Sequence, residues 1–271
     1  MAIMNLLVAF NGSDASVAAL RYAASLARER GAHVTAILAH SKHEVIDSSS
    51  RWIPAAARGL LAEANAGILR EIEHRFETLR DELGLGDALS LRQQPGRVDA
   101  SLSEAARCFD ALIVGKRDRD DDEHVSLNPD RIALISGRPV IVVPEGYDAG
   151  AAHNHAALAW DGSRAAARAL SDSLRLLEED GRVSVLTVGP RAPQPIDDLL
   201  THLSRHGVEA IHENFPETHP VADTIIAYCQ RHDPGLLVMG AYEHSKFRED
   251  FIGGVTHSIL RDIRIPVLLS H

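Results

Sequence analysis

The chain has 271 residues, of which 45% are hydrophobic and 24% charged, a composition typical of a globular protein with a buried core. Its length is compatible with one large domain or with two of ordinary size. The formal net charge of −10 argues against broad electrostatic binding of nucleic acid or anionic lipid, because either would need clustered Lys and Arg.

The first ten residues lack a basic region and lead into a strand-like segment, so we do not expect a signal peptide. No apolar run reaches the length of a membrane span. Two cysteines, Cys108 and Cys229, fall in apparently amphipathic helices, which predicts two core residues in a reducing compartment. We therefore expect a cytoplasmic protein with no membrane partner.

The first half begins with a predicted strand that ends at Asn11-Gly12-Ser13. An alanine-rich stretch over 15–30 then has apolar residues at helical spacing and stops at Gly31. The segments that complete this half are a strand over 33–38, extra helix within 41–83, and strands over 111–115 and 139–144. This order of strands and helices predicts a parallel sheet.

The second half repeats that order. Gly162 follows Gly12 by 150 residues, in a run that ends at Asp161-Gly162-Ser163. The elements that follow are a helix over 164–179 and strands over 182–188, 236–240 and 265–269. The last two strands of the second half follow their first-half counterparts by only 125 to 127 residues. The first half therefore contains extra residues between its second strand and its last two strands.

The join between the halves falls in the glycine-bearing stretch 146–150, which predicts domains at 1–148 and 152–271. The strands are nearly continuous apolar runs, as expected when helices cover both faces of a sheet. We therefore predict two tandem doubly wound α/β domains. In such sheets ligands bind outside the carboxyl ends of the strands, where 161–163 and 240–242 are expected to lie.

These features resemble the universal stress protein family in its tandem form, over nearly the whole chain. The resemblance is based on the Asp-Gly-Ser run at 161–163, the terminal Pro-Val-Leu-Leu at 266–269 and glycines after the fourth strand. In ATP-binding members those glycines form the pattern Gly-x2-Gly-x9-Gly-Ser/Thr. The family implies a five-stranded parallel sheet in each domain, of the adenine nucleotide alpha hydrolase-like kind. Adenine then lies near the ends of the first two strands and the phosphates over the glycine loop.

Carried over by position, the resemblance implies a site for ATP or a related adenine nucleotide, with Mg, in the second domain. Its expected residues are Asp161, Gly162, Val188, Gly240, Gly253, Gly254, Val255 and Thr256. Glycines let backbone N–H groups approach phosphate oxygens, and a helix starting near Gly254 directs its positive end at them. Thr256 adds a hydroxyl donor or helps to cap that helix. The Asp161 carboxylate accepts from an adenine amine or a ribose hydroxyl.

The sequence departs from the family pattern in both halves. Glu243 stands where the second glycine is expected, and Gly254 stands where Ser or Thr should follow Gly253. In the first half Asn11 replaces the aspartate, and an acidic run over 118–123 replaces the glycines. We therefore expect the first half to have lost nucleotide binding and to have a partner-facing or purely structural role.

Two functions stay open. The first is a stress-response protein that binds an adenine nucleotide and hydrolyses it slowly at most; the second is a regulatory or interaction module, or a protein that binds another small molecule in the same pocket. No general base can be assigned, and neither first turn carries Gly-x-Gly-x-x-Gly. We therefore expect a binding protein rather than an enzyme, with Ser13 and Ser163 as helix caps rather than nucleophiles.

Three further patterns have two interpretations each. His202 and His206, spaced i,i+4, could supply two zinc ligands, but no third ligand stands at a recognised spacing, so surface histidines are favoured. The acidic run over 118–123 suits a hard cation but lacks the order of a Ca²⁺ loop, so a solvated loop is favoured. The resemblance implies that the terminal strands pair across the two domains; further association into a homodimer is left open.

Overall fold

A computed structural model describes residues 3–40, 55–116, 129–149, 155–177, 181–193, 196–241 and 254–271. The first half contains strands β1 (Asn5–Ala9), β2 (His33–His40), β3 (Leu89–Pro95), β4 (Ala111–Lys116) and β5 (Val140–Pro144). Its α-helices are α1 (Asp14–Arg30), α2 (Ala55–Leu83), α3 (Val98–Ala106) and α4 (Pro129–Ser136). The second half contains strands β6 (His155–Ala159), β7 (Arg182–Val188), β8 (Glu209–Phe215), β9 (Leu236–Gly240) and β10 (Val267–Ser270). Its helices are α5 (Arg164–Leu177), α6 (Ile196–Arg205), α7 (Val221–His232) and α8 (Val255–Asp262).

All ten strands form one sheet in the order β3-β2-β1-β4-β5-β10-β9-β6-β7-β8. Within each half the strands are parallel and follow the same order, 3-2-1-4-5. The halves meet where β5 and β10 run antiparallel, with Ile141 opposite Leu268. The predicted α/β fold with doubly wound parallel sheets is confirmed.

Helices cover both faces of the sheet and create two hydrophobic layers. The side chains of α1, α2, α5 and α6 contribute to one layer and those of α3, α4, α7 and α8 to the other. Along β1, Leu6 and Val8 enter the first layer while Leu7 enters the second. Because both faces of the central strands are buried, these strands need apolar residues at successive positions, which explains their continuous runs. The edge strands β3 and β8 have polar and exposed positions instead.

The predicted helix signals at the two first turns are confirmed. Ser13 Oγ accepts from the Ser16 N–H at 3.3 Å, and Ser163 Oγ accepts from the Ala166 N–H at 3.1 Å. Helix α1 stops at Gly31, which has a φ of 65° and donates its N–H to the Ala27 carbonyl. These bonds satisfy backbone groups that the helix ends would otherwise leave unpaired.

Helix α2 confirms the extra helix predicted within 41–83; residues 41–54 lie outside the described residues. Its last turns are anchored by Phe76 and Leu79, which are buried, whereas Leu60 and Ile68 on its earlier turns are exposed. Among the helices that the structure describes, none combines the length and the apolar composition needed to cross a membrane.

The core prediction for the two cysteines is half correct. Cys229 is buried in α7, as predicted, but Cys108 is exposed. Helix α3 ends at Ala106, and the N–H groups of Cys108 and Phe109 bond to carbonyls three residues back. The chain is already turning toward β4 at Cys108, so this residue does not share the buried face of the helix.

Candidate functional site

The ends of β6, β7 and β9 lie side by side in the second half. Strand β6 stands between the other two, with Ala159 opposite Leu186 on one side and Met239 on the other. The chain leaves β6 toward β7, while β9 lies on the opposite side, so the strand order reverses here. This switch point brings the predicted residues Asp161, Val188 and Gly240 to one edge of the sheet.

A tight turn fixes the position of Asp161. Its Oδ1 accepts from the Ser163 N–H at 3.0 Å, and Gly162 between them has a φ of 77°, in the region that favours glycine. The Asp161 side chain is exposed at the edge of the sheet. The turn therefore presents a carboxylate to solvent at the end of β6.

The first half contains the same turn with an amide in place of the carboxylate. Asn11 Oδ1 accepts from the Ser13 N–H at 3.0 Å and from Ser13 Oγ at 2.7 Å, and Gly12 has a φ of 78°. Because Asp and Asn make the same backbone bond, the turn itself does not require a charge. The negative charge of Asp161 is thus a chemical difference between the two halves.

The surroundings of the two turns also differ. In the first half Arg75 of α2 donates to the Gly12 carbonyl and forms an ion pair with Asp14, while Ile72 lies 3.2 Å from the position that a Cβ on Gly12 would take. In the second half, the Cβ of Pro193 lies 3.0 Å from the position that a Cβ on Gly162 would take. An arginine thus binds the first turn, and a loop borders the second.

Gly240 is explained by packing in the fold. A Cβ there would lie 2.6 Å from the Ala166 nitrogen and 2.7 Å from the Ala165 carbonyl carbon. Gly115 in the first half meets α1 in the same way, with the Ala15 carbonyl oxygen 2.0 Å from the Cβ position. The glycine at this place is required for close helix–strand approach in both halves, and by itself it does not indicate phosphate binding.

Helix α8 begins where the sequence predicted. Gly254 is its N-cap, with extended backbone, and its carbonyl accepts from the Ser258 N–H at 3.2 Å. The N–H groups of Val255, Thr256 and His257 precede that first helical bond, so they can bind an anion. Thr256 is buried and Val255 exposed. Gly253 and Glu243 lie outside the described residues.

An open surface cleft of about 490 Å³ lies at the ends of β7 and β8. It is lined by Gly189, Pro190, Asn214, Pro216, Glu217 and Thr218. None of these six residues was predicted from the sequence, which indicated only the neighbouring Val188. The strand-breaking Gly-Pro at 189–190 and the Pro at 216 are the signals that mark this edge in the sequence.

The predicted histidine pair is only half helical, because His202 lies in α6 and His206 follows the end of that helix at Arg205; their rings are 4.6 Å apart. Within the described ranges, no group of three or more His, Cys, Asp or Glu side chains is placed to hold a metal ion. The acidic run over 118–123 lies outside those ranges.

The repeated strand order defines a doubly wound α/β protein, with a switch point in strand order at the carboxyl end of β6. The model of the universal stress protein family matches residues 2–144 and 205–271, so the chain belongs to that family. Asp161 and Val188 fall between the two matched ranges.

Known proteins agree with this assignment along the whole chain. Universal stress protein Slr1230 of Synechocystis sp. is 27% identical over 292 residues, covering 97% of this chain and 98% of that protein. A universal stress protein from Archaeoglobus fulgidus has a similar structure, with a TM-score of 0.73 and 15% identity over 98% of this chain and 95% of that one. A putative universal stress protein from Pseudomonas aeruginosa matches with a TM-score of 0.56 and 16% identity, covering 99% of this chain and 93% of that one. At these identities the structural matches show the fold alone.

Proposed function

We propose that this chain is a cytoplasmic stress-response protein whose second half binds one molecule of ATP, or a related adenine nucleotide, with Mg. The observation that carries the proposal is the exposed Asp161 carboxylate at the switch point of the second sheet. We propose that the protein acts by binding the nucleotide, with slow hydrolysis at most.

The chemistry divides between two ends of the site. The Asp161 carboxylate accepts hydrogen bonds, so it suits a ribose hydroxyl or an adenine amine. Its negative charge repels phosphate. The N-terminus of α8 donates, since its first N–H groups and its dipole favour an anion. Both stand at the same edge, because α8 connects β9 to the parallel strand β10 and must start at the carboxyl end of β9.

The first half supports a stoichiometry of one. Its turn carries Asn11 in place of the carboxylate, and Arg75 binds the turn from α2. We also propose that the chain divides into domains at 1–148 and 152–271 and that the β5–β10 pairing is their interface. Because the first domain no longer binds nucleotide, its proposed role is structural, as one side of this interface.

Calorimetric titration with ATP and Mg tests the site through a matched pair of variants. Asp161→Asn keeps the turn bond, as Asn11 shows, but removes the charge and turns one acceptor into a donor. We expect the ATP affinity to fall about tenfold or more, as for loss of a charged hydrogen bond. Asn11→Asp, the reverse change in the first half, should leave the affinity and the stoichiometry unchanged.

Mass spectrometry of ligand released from freshly purified protein provides an independent test. The expected result is an adenine nucleotide at up to one per chain. A wild-type chain that carries no nucleotide and binds none at millimolar ATP would contradict the proposal and would favour the alternative of an interaction module or of another small ligand.

A further inference from the structure

We propose that a basic cleft between α5 and the end of β10 binds inorganic phosphate, at a place separate from the proposed nucleotide site. The cleft is open to solvent and has a volume of about 550 Å³. Its described lining residues are Arg164, Ala165, Ala167, Arg168, Ser171 and His271. Two of these six are arginines and none is acidic, although the whole chain has a net charge of −10. The basic cleft therefore concentrates positive charge on an acidic molecule.

Arg168 is held at this cleft by Asp172. Its Nε donates to Asp172 Oδ2 at 3.2 Å, and the Asp172 side chain is only 16% exposed. The same carboxylate oxygen accepts from Ser270 Oγ at 2.9 Å, so Asp172 joins α5 to the end of β10. Because the bond to Asp172 uses only Nε, the two Nη groups of Arg168 can form the paired bonds by which a guanidinium binds phosphate.

His271 directly follows Ser270 and is fixed by a bond of its own. Its Nδ1 lies 2.9 Å from the Ala241 carbonyl oxygen. A carbonyl oxygen only accepts, so Nδ1 carries the hydrogen, and in the neutral ring Nε2 is an acceptor. The Asp172 carboxylate is thus bonded both to Arg168 and to the neighbour of His271, which brings the guanidinium and the imidazole to one cleft.

A guanidinium beside a hydrogen-bond acceptor matches a protonated oxyanion. Inorganic phosphate keeps at least one hydroxyl at neutral pH, so it can accept from Arg168 and donate to His271 Nε2. The Ser171 hydroxyl adds a donor, and Arg164 adds a second positive charge. Sulfate has the same shape but carries no hydrogen at neutral pH, so it cannot donate to Nε2. The basic cleft should therefore prefer phosphate to sulfate.

The first half does not repeat this arrangement. Asp14, at the first position of α1, corresponds to Arg164 at the first position of α5. Four residues further on, Ala18 corresponds to Arg168 and is buried. The first half thus has an acidic and an apolar residue where the second half has its two arginines.

The basic cleft is also separate from the proposed nucleotide site. His271 follows β10, which lies two strands from β6 on the side away from β7. Helix α5 packs in the first hydrophobic layer, whereas α8, whose N-terminus is proposed to bind the nucleotide phosphates, packs in the second. A change at Arg168 should therefore leave the ATP affinity unchanged.

Phosphorus NMR titration of the full chain with inorganic phosphate, and with sulfate as a competitor, tests the site. We expect phosphate to bind with a Kd on the order of 1 mM and sulfate to bind about tenfold more weakly. Arg168→Gln should weaken phosphate binding about tenfold or more, as for loss of a charged hydrogen bond. Arg92→Gln, the same change at an exposed arginine of the edge strand β3, is the matched control and should keep the wild-type affinity.

A second variant tests the acceptor. His271→Leu should weaken phosphate about tenfold and leave sulfate unchanged, so that the preference for phosphate disappears. A purely structural role of His271 would instead weaken both anions equally, and that result would overturn its role as the acceptor.

The remaining outcomes separate this inference from the proposed function. A wild-type chain that binds no phosphate at millimolar concentrations, or an Arg168→Gln variant with wild-type phosphate affinity, overturns the phosphate site. Loss of ATP and phosphate binding together in Arg168→Gln overturns the separation of the two sites. A wild-type chain that binds phosphate in the basic cleft but binds no ATP supports this inference and contradicts the proposed function alone.

Discussion

At the scale of single residues, the two cysteines differ in reactivity. Burial raises the pKa of the Cys229 thiol to about 12, whereas Cys108 is exposed. The thiolate is the reactive form, so Cys229 should be inert at neutral pH. We expect a thiol-specific chromogenic reagent to modify one cysteine per native chain and two after denaturation. The Cys108→Ser variant should show no reaction until it is unfolded; rapid native labelling of that variant would contradict the burial of Cys229.

His155 lies at the start of β6, at the edge opposite the candidate site. Its Nε2 contacts Ser184 Oγ at 2.9 Å. Burial lowers the pKa of His155, the nearby Arg182 and His232 lower it further, and Glu213 opposes them. The folded state therefore holds this imidazole neutral over a wider pH range than the unfolded chain does.

The sign of the pH effect follows from that shift. Below about pH 6.5 the unfolded chain takes up a proton that folded His155 resists, so stability is lost as the pH falls. We expect urea denaturation to show that, between pH 7.5 and pH 5.5, the free energy of unfolding falls more steeply in the wild type than in His155→Gln. Equal slopes in wild type and His155→Gln would sink the prediction.

At the scale of elements, the contact of α5 with β9 depends on Gly240. Gly240→Ala places a methyl group 2.6 Å from the Ala166 backbone nitrogen, so the helix must move. We expect the free energy of unfolding to fall by about 1 to 3 kcal/mol, the usual cost of overpacking. Chemical denaturation measures this change.

Gly67→Ala is the matched substitution within α2. Apart from the backbone of α2 itself, no atom of the described residues lies within 4 Å of the Cβ position there, and Ala favours the helix, so the free energy of unfolding should rise by about 0.5 to 1 kcal/mol. A stability loss of the same size in both variants would show that close packing is not the reason for Gly240.

The bounds of these elements were largely predictable from local signals. The second-half strands over 182–188 and 236–240 were predicted at the bounds observed, and Gly31 ends α1 as expected. Such signals are backbone properties of single residues, so the sequence shows them directly. Cys108 was misplaced because the length of α3 depends on where the chain must turn to enter β4.

At the scale of the whole molecule, the halves share one sheet and several polar contacts. Arg30 donates to the Leu176 carbonyl, Lys116 donates to the Arg261 carbonyl, and Arg175 lies 3.6 Å from Asp110. The Lys116 contact places a positive charge at the C-terminus of α8, where the helix dipole favours it. At the join, β5 and β10 pair with each other, so neither half has an open terminal strand there.

This continuity predicts one cooperative unfolding transition. Differential scanning calorimetry should show a single peak, with a ratio of calorimetric to van't Hoff enthalpy of about 1. Lys116→Met removes one contact near the surface and should lower the midpoint by only about 1 to 3 °C without splitting the peak. Two resolved peaks in the wild type would show that the halves unfold independently.

The sequence by itself determined the repeat, the parallel doubly wound sheet type and the two turns at Asn11 and Asp161, because strand burial on both faces and turn chemistry depend on nearby residues. It also identified the start of α8. Tertiary structure alone decided that Gly240 is required by helix packing, that Arg75 binds the first turn, and that the ends of β7 and β8 form an open cleft beside Val188. Each of these depends on residues distant along the chain, which only the folded sheet brings into contact.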